Sequence, residues 1–90
     1  MIADPEVAAE NRLLRPFLRE GRIVQWPARQ HIRRVLLSEV ARSFPPGLRI
    51  REKDVDSLLH QFWPDHCQLR RELVELGLLN RKNGLYWRIG

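Results

Sequence analysis

Residues 65–88 read DHCQLRRELVELGLLNRKNGLYWR, a helix start, an apolar stripe, a helix stop and a hairpin turn in succession. Asp65, with Gln68 three residues on, has the spacing of a capping box, so a helix starts there. Leu69, Leu73 and Leu76 recur at three- and four-residue steps and make one apolar stripe. Gly77 stands where the chain must turn left-handed to leave a helix. Leu78 to Arg81 and Leu85 to Ile89 then flank Asn83-Gly84, a dipeptide suited to a type I′ turn because both central residues need positive φ. Centring the turn there sets Arg81 opposite Tyr86, Asn80 opposite Trp87 and Leu79 opposite Arg88.

Upstream, Glu52 to Phe62 reads as a helix, with Val55, Leu58, Leu59 and Phe62 at i, i+3, i+4 and i+7. Glu52, Asp54 and Asp56 in its first turn complement the positive end of the helix dipole. Trp63-Pro64 ends it, so the turn into Asp65 is tight. Leu48-Arg49-Ile50-Arg51 alternates as a short strand after the stop at Pro45-Pro46-Gly47. Before that stop, Ala28 to Phe44 is a helix with Ile32, Leu36, Val40 and Phe44 along one side and Gln30, Arg34 and Ser38 on the other. Arg22 to Pro27 reads as an extended connector. At the start, Asp4, Pro5 and Glu6 suit a helix N-terminus, with Val7, Ala8, Leu14 and Leu18 on one face. Pro16 predicts a kink or a restart before Phe17-Leu18, and Gly21 an end.

The order from Ala28 onward is helix, short strand, helix, tight turn, helix, hairpin. That is the order of a winged helix-turn-helix, in which the strand near Ile50 can pair with the hairpin. The expected fold class is therefore mainly α with a small β-hairpin, an α+β winged helix preceded by an N-terminal helix. Residues 1–90 make one domain, with 1–20 a helical extension and 22–90 the winged-helix core.

The chain carries 16 Lys and Arg against 11 Asp and Glu, a net charge of +5, and 14 of the 16 cations are Arg. That balance is an electrostatic footprint common among nucleic-acid binders, and the planar guanidinium fork suits phosphates and guanine edges. A coding bias toward arginine gives the same composition. The single Cys67 cannot form an internal disulfide, which points to a reducing compartment, here the cytoplasm. No apolar run approaches the ~20 residues needed to span a bilayer.

In a winged helix the second helix of the turn motif lies in the major groove. With Leu69, Leu73 and Leu76 facing inward, a 100° step turns Cys67, Arg70, Arg71 and Val74 outward, with His66 and Gln68 at the margins near the N-terminus. Arg70 and Arg71 are the expected base or phosphate contacts, the bland alternative being solvated or locally salt-bridged arginines. Arg81, Lys82 and Asn83 at the hairpin tip and Arg88 on its second strand are expected on the backbone, against an ordinary solvated turn. Arg33 and Arg34 belong to a further basic segment that either touches flanking phosphates or solubilises its helix.

Other chemistries fare worse. His60, His66 and Cys67 lack metal-ligand spacing, and consecutive helical residues such as Asp65, His66 and Cys67 cannot converge on one reacting atom, so no catalytic or metal site and no cofactor is expected. Cys67 as a redox switch stands beside Cys67 as a tolerated surface residue. The alternative to DNA binding is a protein-interaction or dimerisation module, with a homodimer built through the N-terminal helix and its Leu14 and Leu18. The acidic residues of the 52–56 turn, with Glu72 and Glu75, argue in that direction.

A set of residues gives the chain a resemblance. Phe17 followed by Gly21-Arg22, then Pro27, Arg33, Val35-Leu36, Phe44, Val55, Leu59 and Asp65 lead into its most specific part. That part is Leu69-Arg70-Arg71-Glu72-Leu73-Val74 with Gly77, Leu79, Arg81 and Tyr86-Trp87-Arg88. From Phe17 onward the chain resembles the bacterial domain-of-unknown-function family numbered two thousand and eighty-seven, found alone or fused to helix-turn-helix transcriptional regulators. The resemblance implies a winged-helix-like fold and a role near transcription, and supplies no substrate. It also implies a Thr cap at the position of Arg51, so here the cap must come from elsewhere.

Overall fold

Pro and Gly punctuation divides the chain into short elements in the computed structural model, which describes residues 12–89. The helix start expected from Asp4, Pro5, Glu6, Val7 and Ala8 lies outside the described residues. Residues 12–14 are helical and the chain turns through Arg15-Pro16-Phe17, since Pro removes a helical hydrogen bond and its ring clashes with the preceding turn.

The expected helical restart at Phe17-Leu18 does not occur. Leu18–Arg19 (β1) and Arg22–Ile23 (β2) instead form an antiparallel hairpin, Leu18 opposite Ile23 and Arg19 opposite Arg22. Glu20 and Gly21 both have positive φ, 51° and 75°, the conformation of primed turns whose twist matches paired strands. Gly21 thus turns a hairpin rather than ending a helix, and Arg22 to Pro27 is not a wholly unpaired connector. Tertiary contact decides this: Ile23 is 5% exposed and its N–H donates to the Phe62 carbonyl at 2.7 Å. Leu14 belongs to the main core and Leu18 packs against it, so the residues expected to serve dimerisation face this chain's own interior.

Helix α1 spans Gln30–Ala41, shorter at both ends than the expected Ala28 to Phe44. Phe44 is nonetheless buried, from the turn beyond the helix. Strand β3 (Ile50–Arg51) runs directly into α2 (Glu52–His60), and α3 (His66–Glu75) follows after a tight turn. β4 (Leu79–Lys82) and β5 (Leu85–Arg88) close the chain as a hairpin in the expected register, and β3 adds to it in the order β3-β5-β4. Asn83 and Gly84 have φ of 54° and 77°, as a type I′ turn requires. The helices with these two small antiparallel sheets make an α+β fold.

Two helix ends show how local chemistry and tertiary structure divide the work. At the end of α3 the Leu78 N–H reaches the Leu73 carbonyl and the Gly77 N–H the Val74 carbonyl, a Schellman closure with Gly77 at φ 73°. At the start of α2, Arg51 makes no side-chain cap, and the Glu52 N–H donates to the Gly84 carbonyl at 3.0 Å. The hairpin tip, 32 residues later in the chain, thus satisfies the first free N–H of α2, a different donor from the Lys53 or Asp54 N–H that an N-cap Thr would reach.

α3 packs on both α1 and α2, and the three-stranded sheet closes against α2 and α3. Leu36, Leu37 and Val40 of α1, Val55 and Leu59 of α2, and Leu69 and Leu73 of α3 are fully buried, with Phe44, Leu79 and Tyr86 at 1% exposure. Burying one such side chain contributes about 1.5–3 kcal/mol, against about 0–1 for an exposed ion pair. The apolar stripes therefore contribute most of what holds the helices in place. Among the described residues no helix is long and apolar enough to cross a membrane.

Candidate nucleic-acid interface

The position of α3 is set at its first turn. Asp65 Oδ1 accepts from the Gln68 N–H at 3.1 Å, as the cap spacing requires. The reciprocal half of the expected capping box is missing, because Gln68 Oε1 accepts instead from the Trp63 indole N–H at 3.4 Å. Gln68 is thus half-buried at the helix junction. Cys67 and Arg71 are exposed, while Arg70 and Val74, on the same outward half, are half-covered.

The two expected major-groove arginines differ in kind. Arg70 reaches α2, where its Nη1 donates to Asp56 Oδ1 and its Nε lies 3.9 Å from Glu52 Oε1. Burial opposes its charge, but the hydrogen bond and charge of Asp56, then the charge of Glu52, outweigh it and raise its pKa further. Arg70 is a permanently charged strut between helices. Arg71 makes no ion pair among the described residues and is exposed to solvent.

The acidic first turn of α2 is likewise partnered. Glu52 Oε1 accepts from the Tyr86 hydroxyl at 2.7 Å, Asp54 pairs with Arg51 at 3.3 Å, and Asp56 Oδ2 lies 4.0 Å from His66 Nε2. Burial first, then the Glu52 hydrogen bond, raises the Tyr86 pKa against the opposing pull of Arg81 and Arg70. His66 is half-buried beside Asp56, with its ring edge-on to His60 at 5.6 Å. These carboxylates therefore add little repulsion to the outer side of α3.

Several other expected contacts are structural ties. Arg33 donates to the Pro27 carbonyl at 3.2 and 3.3 Å and to Ala28 at 3.3 Å, lies over the Trp26 ring and sits 3.8 Å from Glu72. Arg88 donates to the Phe44 carbonyl at 3.2 Å and to Arg42 at 3.5 Å, which fastens β5 to the end of α1. Arg34, Arg81, Lys82 and Asn83 are exposed.

Of the expected residues, α3 and β4 bring Arg70, Arg71 and Arg81 together with Cys67, Val74 and Glu75 around an open groove of about 400 Å³. Arg70 is neutralised there by α2, so Arg71 and Arg81 are the cations left to a ligand. Lys82 and Asn83 lie farther along the hairpin, while Arg34 sits apart beside Gln30 and His31. Sequence reasoning missed Arg49, whose guanidinium lies 4.2 Å over the Trp87 ring. The alternation of residues 48–51 against the hairpin was the signal that could have found it. Cys67 is a free, exposed thiol. Among the described residues no group of three or more His, Cys, Asp and Glu side chains could hold a metal ion.

Fold and groove together define a small basic α+β domain that presents a helix and a hairpin on one side. The chain belongs to the family described as an uncharacterized protein conserved in bacteria (DUF2087), whose model matches residues 22–88. The match starts at Arg22 rather than at Phe17, and it includes all of α1, α2, α3 and the three-stranded sheet. No curated protein and no solved structure matches the chain.

Proposed function

We propose that the chain is a winged helix-turn-helix that binds double-stranded DNA in the bacterial cytoplasm, as a transcriptional regulator or an accessory domain of one. On this reading α2 and α3 are the helix-turn-helix, the β4–β5 hairpin is the wing, and α3 enters the major groove. The observation that carries it is the groove shared by Arg71 of α3 and Arg81 of the hairpin, two guanidinium groups without carboxylate partners among the described residues, on adjoining elements. Arg71 is the side chain placed for base edges or phosphate. Arg81 and Lys82 follow the backbone, and Arg34, which makes no ion pair among the described residues, reaches a flanking phosphate. Arg70, Arg33 and Arg88 hold the framework that presents them.

Fluorescence anisotropy of a labelled mixed-sequence duplex across a salt series tests this. Counterion release makes affinity fall steeply with salt, and the Arg71→Ala, Arg81→Ala double variant flattens the log–log slope by about 1.8, roughly 0.9 for each phosphate no longer neutralised. Absence of binding at low salt, where such contacts are strongest, refutes the reading. The protein-interaction module then takes its place, a reading that the neutralisation of Arg70 by Asp56 favours.

A further inference from the structure

The outer face of the three-stranded sheet is a second basic surface of which the duplex reading uses Lys82 alone. Ile50 pairs with Tyr86, and Tyr86 is 1% exposed, so that face of the sheet points inward. By the period of two, Arg51, Leu85, Trp87, Asn80 and Lys82 face outward. Arg49, one step before β3, confirms the alternation by lying over Trp87. Ile89 continues the face and is 48% exposed. Two carboxylates adjoin this cation set: Asp54, which pairs with Arg51, and Glu52, which lines a pocket with Lys82 and accepts from the Tyr86 hydroxyl. Arg49 and Lys82 make no ion pair among the described residues.

We propose that this face is a stacking platform for an unpaired base of single-stranded nucleic acid, with Trp87 as the platform and Arg49 and Lys82 as phosphate contacts. The base takes the place of the Arg49 guanidinium over the indole, and Arg49 swings to the neighbouring phosphate. An exposed cation–π contact is weak beside base stacking on an aromatic ring, so the exchange is favourable. The occupant is single-stranded because a paired base has its faces covered by its neighbours in the stack, whereas an unpaired one offers a free π-face. An acidic peptide would match the cations but leave the indole without a planar partner. This surface shares Lys82 with the duplex reading but not Arg71 or Arg81, and Trp87 and Arg49 belong to it alone, so variants at those two positions test it separately.

The full chain is titrated with fluorescein-labelled oligothymidylate, followed by anisotropy and by tryptophan quenching. Trp87→Ala, Trp87→Phe, Arg49→Ala and Arg71→Ala run in parallel, each checked for its fold by circular dichroism. Trp87→Ala is expected to weaken single-strand binding about tenfold or more, the scale of one base stack removed. Trp87→Phe, which keeps an aromatic ring, retains most of the affinity. Arg49→Ala reduces the salt slope, and Arg71→Ala leaves single-strand binding unchanged. Binding by Trp87→Ala and wild type alike, or no binding of oligothymidylate at low salt, overturns the proposal even if duplex binding holds. Equal competition by polyglutamate also overturns it and assigns the face to an acidic protein partner.

Discussion

Arg70→Ala separates a structural arginine from a ligand-binding one. The Arg70 and Asp56 side chains are 21% and 27% exposed, and Glu52 stands behind at 3.9 Å. An exposed ion pair contributes about 0.2–1 kcal/mol, and breaking a fully buried one costs about 3–5 kcal/mol. A pair with most of its surface covered falls between these limits, so removing Arg70 is expected to cost about 2 kcal/mol. In a 90-residue domain that lowers the melting temperature by roughly 8–16 °C. Thermal and urea unfolding of Arg70→Ala, Asp56→Ala and the double variant close a cycle whose coupling is expected at about 1–2 kcal/mol. Arg71→Ala, with no ion pair to break, should stay within about 0.5 kcal/mol of wild type. A coupling near zero, or Arg70→Ala as stable as Arg71→Ala, refutes the strut and returns Arg70 to the set of available cations.

Tyr86 is the single tyrosine, so phenolate absorbance reports on it alone, and its midpoint is expected above 10, the value of a free phenol. The folded state holds the proton more tightly than the unfolded chain. Its contribution to stability is thus complete below pH about 10 and is lost as pH rises from there through the folded pKa. Tyr86→Phe should show a smaller alkaline fall in melting temperature, and a wild-type midpoint at or below 10 would contradict the burial argument. Gly84→Ala meets nothing within 4 Å of the added methyl, so its cost is that of φ 77° alone, about 1–2 kcal/mol. Gly84→Asn, which tolerates that conformation, should cost less in the same urea titration. Asp65→Ala removes the α3 cap and should destabilise by about 1 kcal/mol; an unchanged urea midpoint would mean that the cap hydrogen bond is worth no more than its water-bonded alternative.

Much of the fold was legible because it is written in contacts between near neighbours. The stripe of Leu69 and Leu73, the Asp65 cap, the Gly77 exit and the Asn83-Gly84 turn are each decided within a few residues by backbone geometry. The hairpin register followed residue by residue. The β1–β2 hairpin escaped because its strands are two residues long and Glu20-Gly21 is a weaker turn signal than Asn-Gly. Its stability rests on Ile23 docking at Phe62, which no local pattern announces.

The sequence by itself determined the three helices α1, α2 and α3, the final hairpin, and that arginine dominates the charged side chains. Only the tertiary structure decided which arginines remain available. Arg70 meets Asp56 across 14 residues, Tyr86 meets Glu52 across 34, and Arg88 meets the Phe44 carbonyl across 44. Helical periodicity puts Arg70 and Arg71 on the same half of α3, yet Arg70 is mostly covered by α2 while Arg71 is exposed. Periodicity carries no information on where α2 will lie, and a charge tens of residues away becomes a neighbour only when the apolar stripes have docked. The packing of Leu59 and Leu73 in one core thus brings the acidic turn of α2 within reach of Arg70 while Arg71, one 100° step further round, stays in solvent.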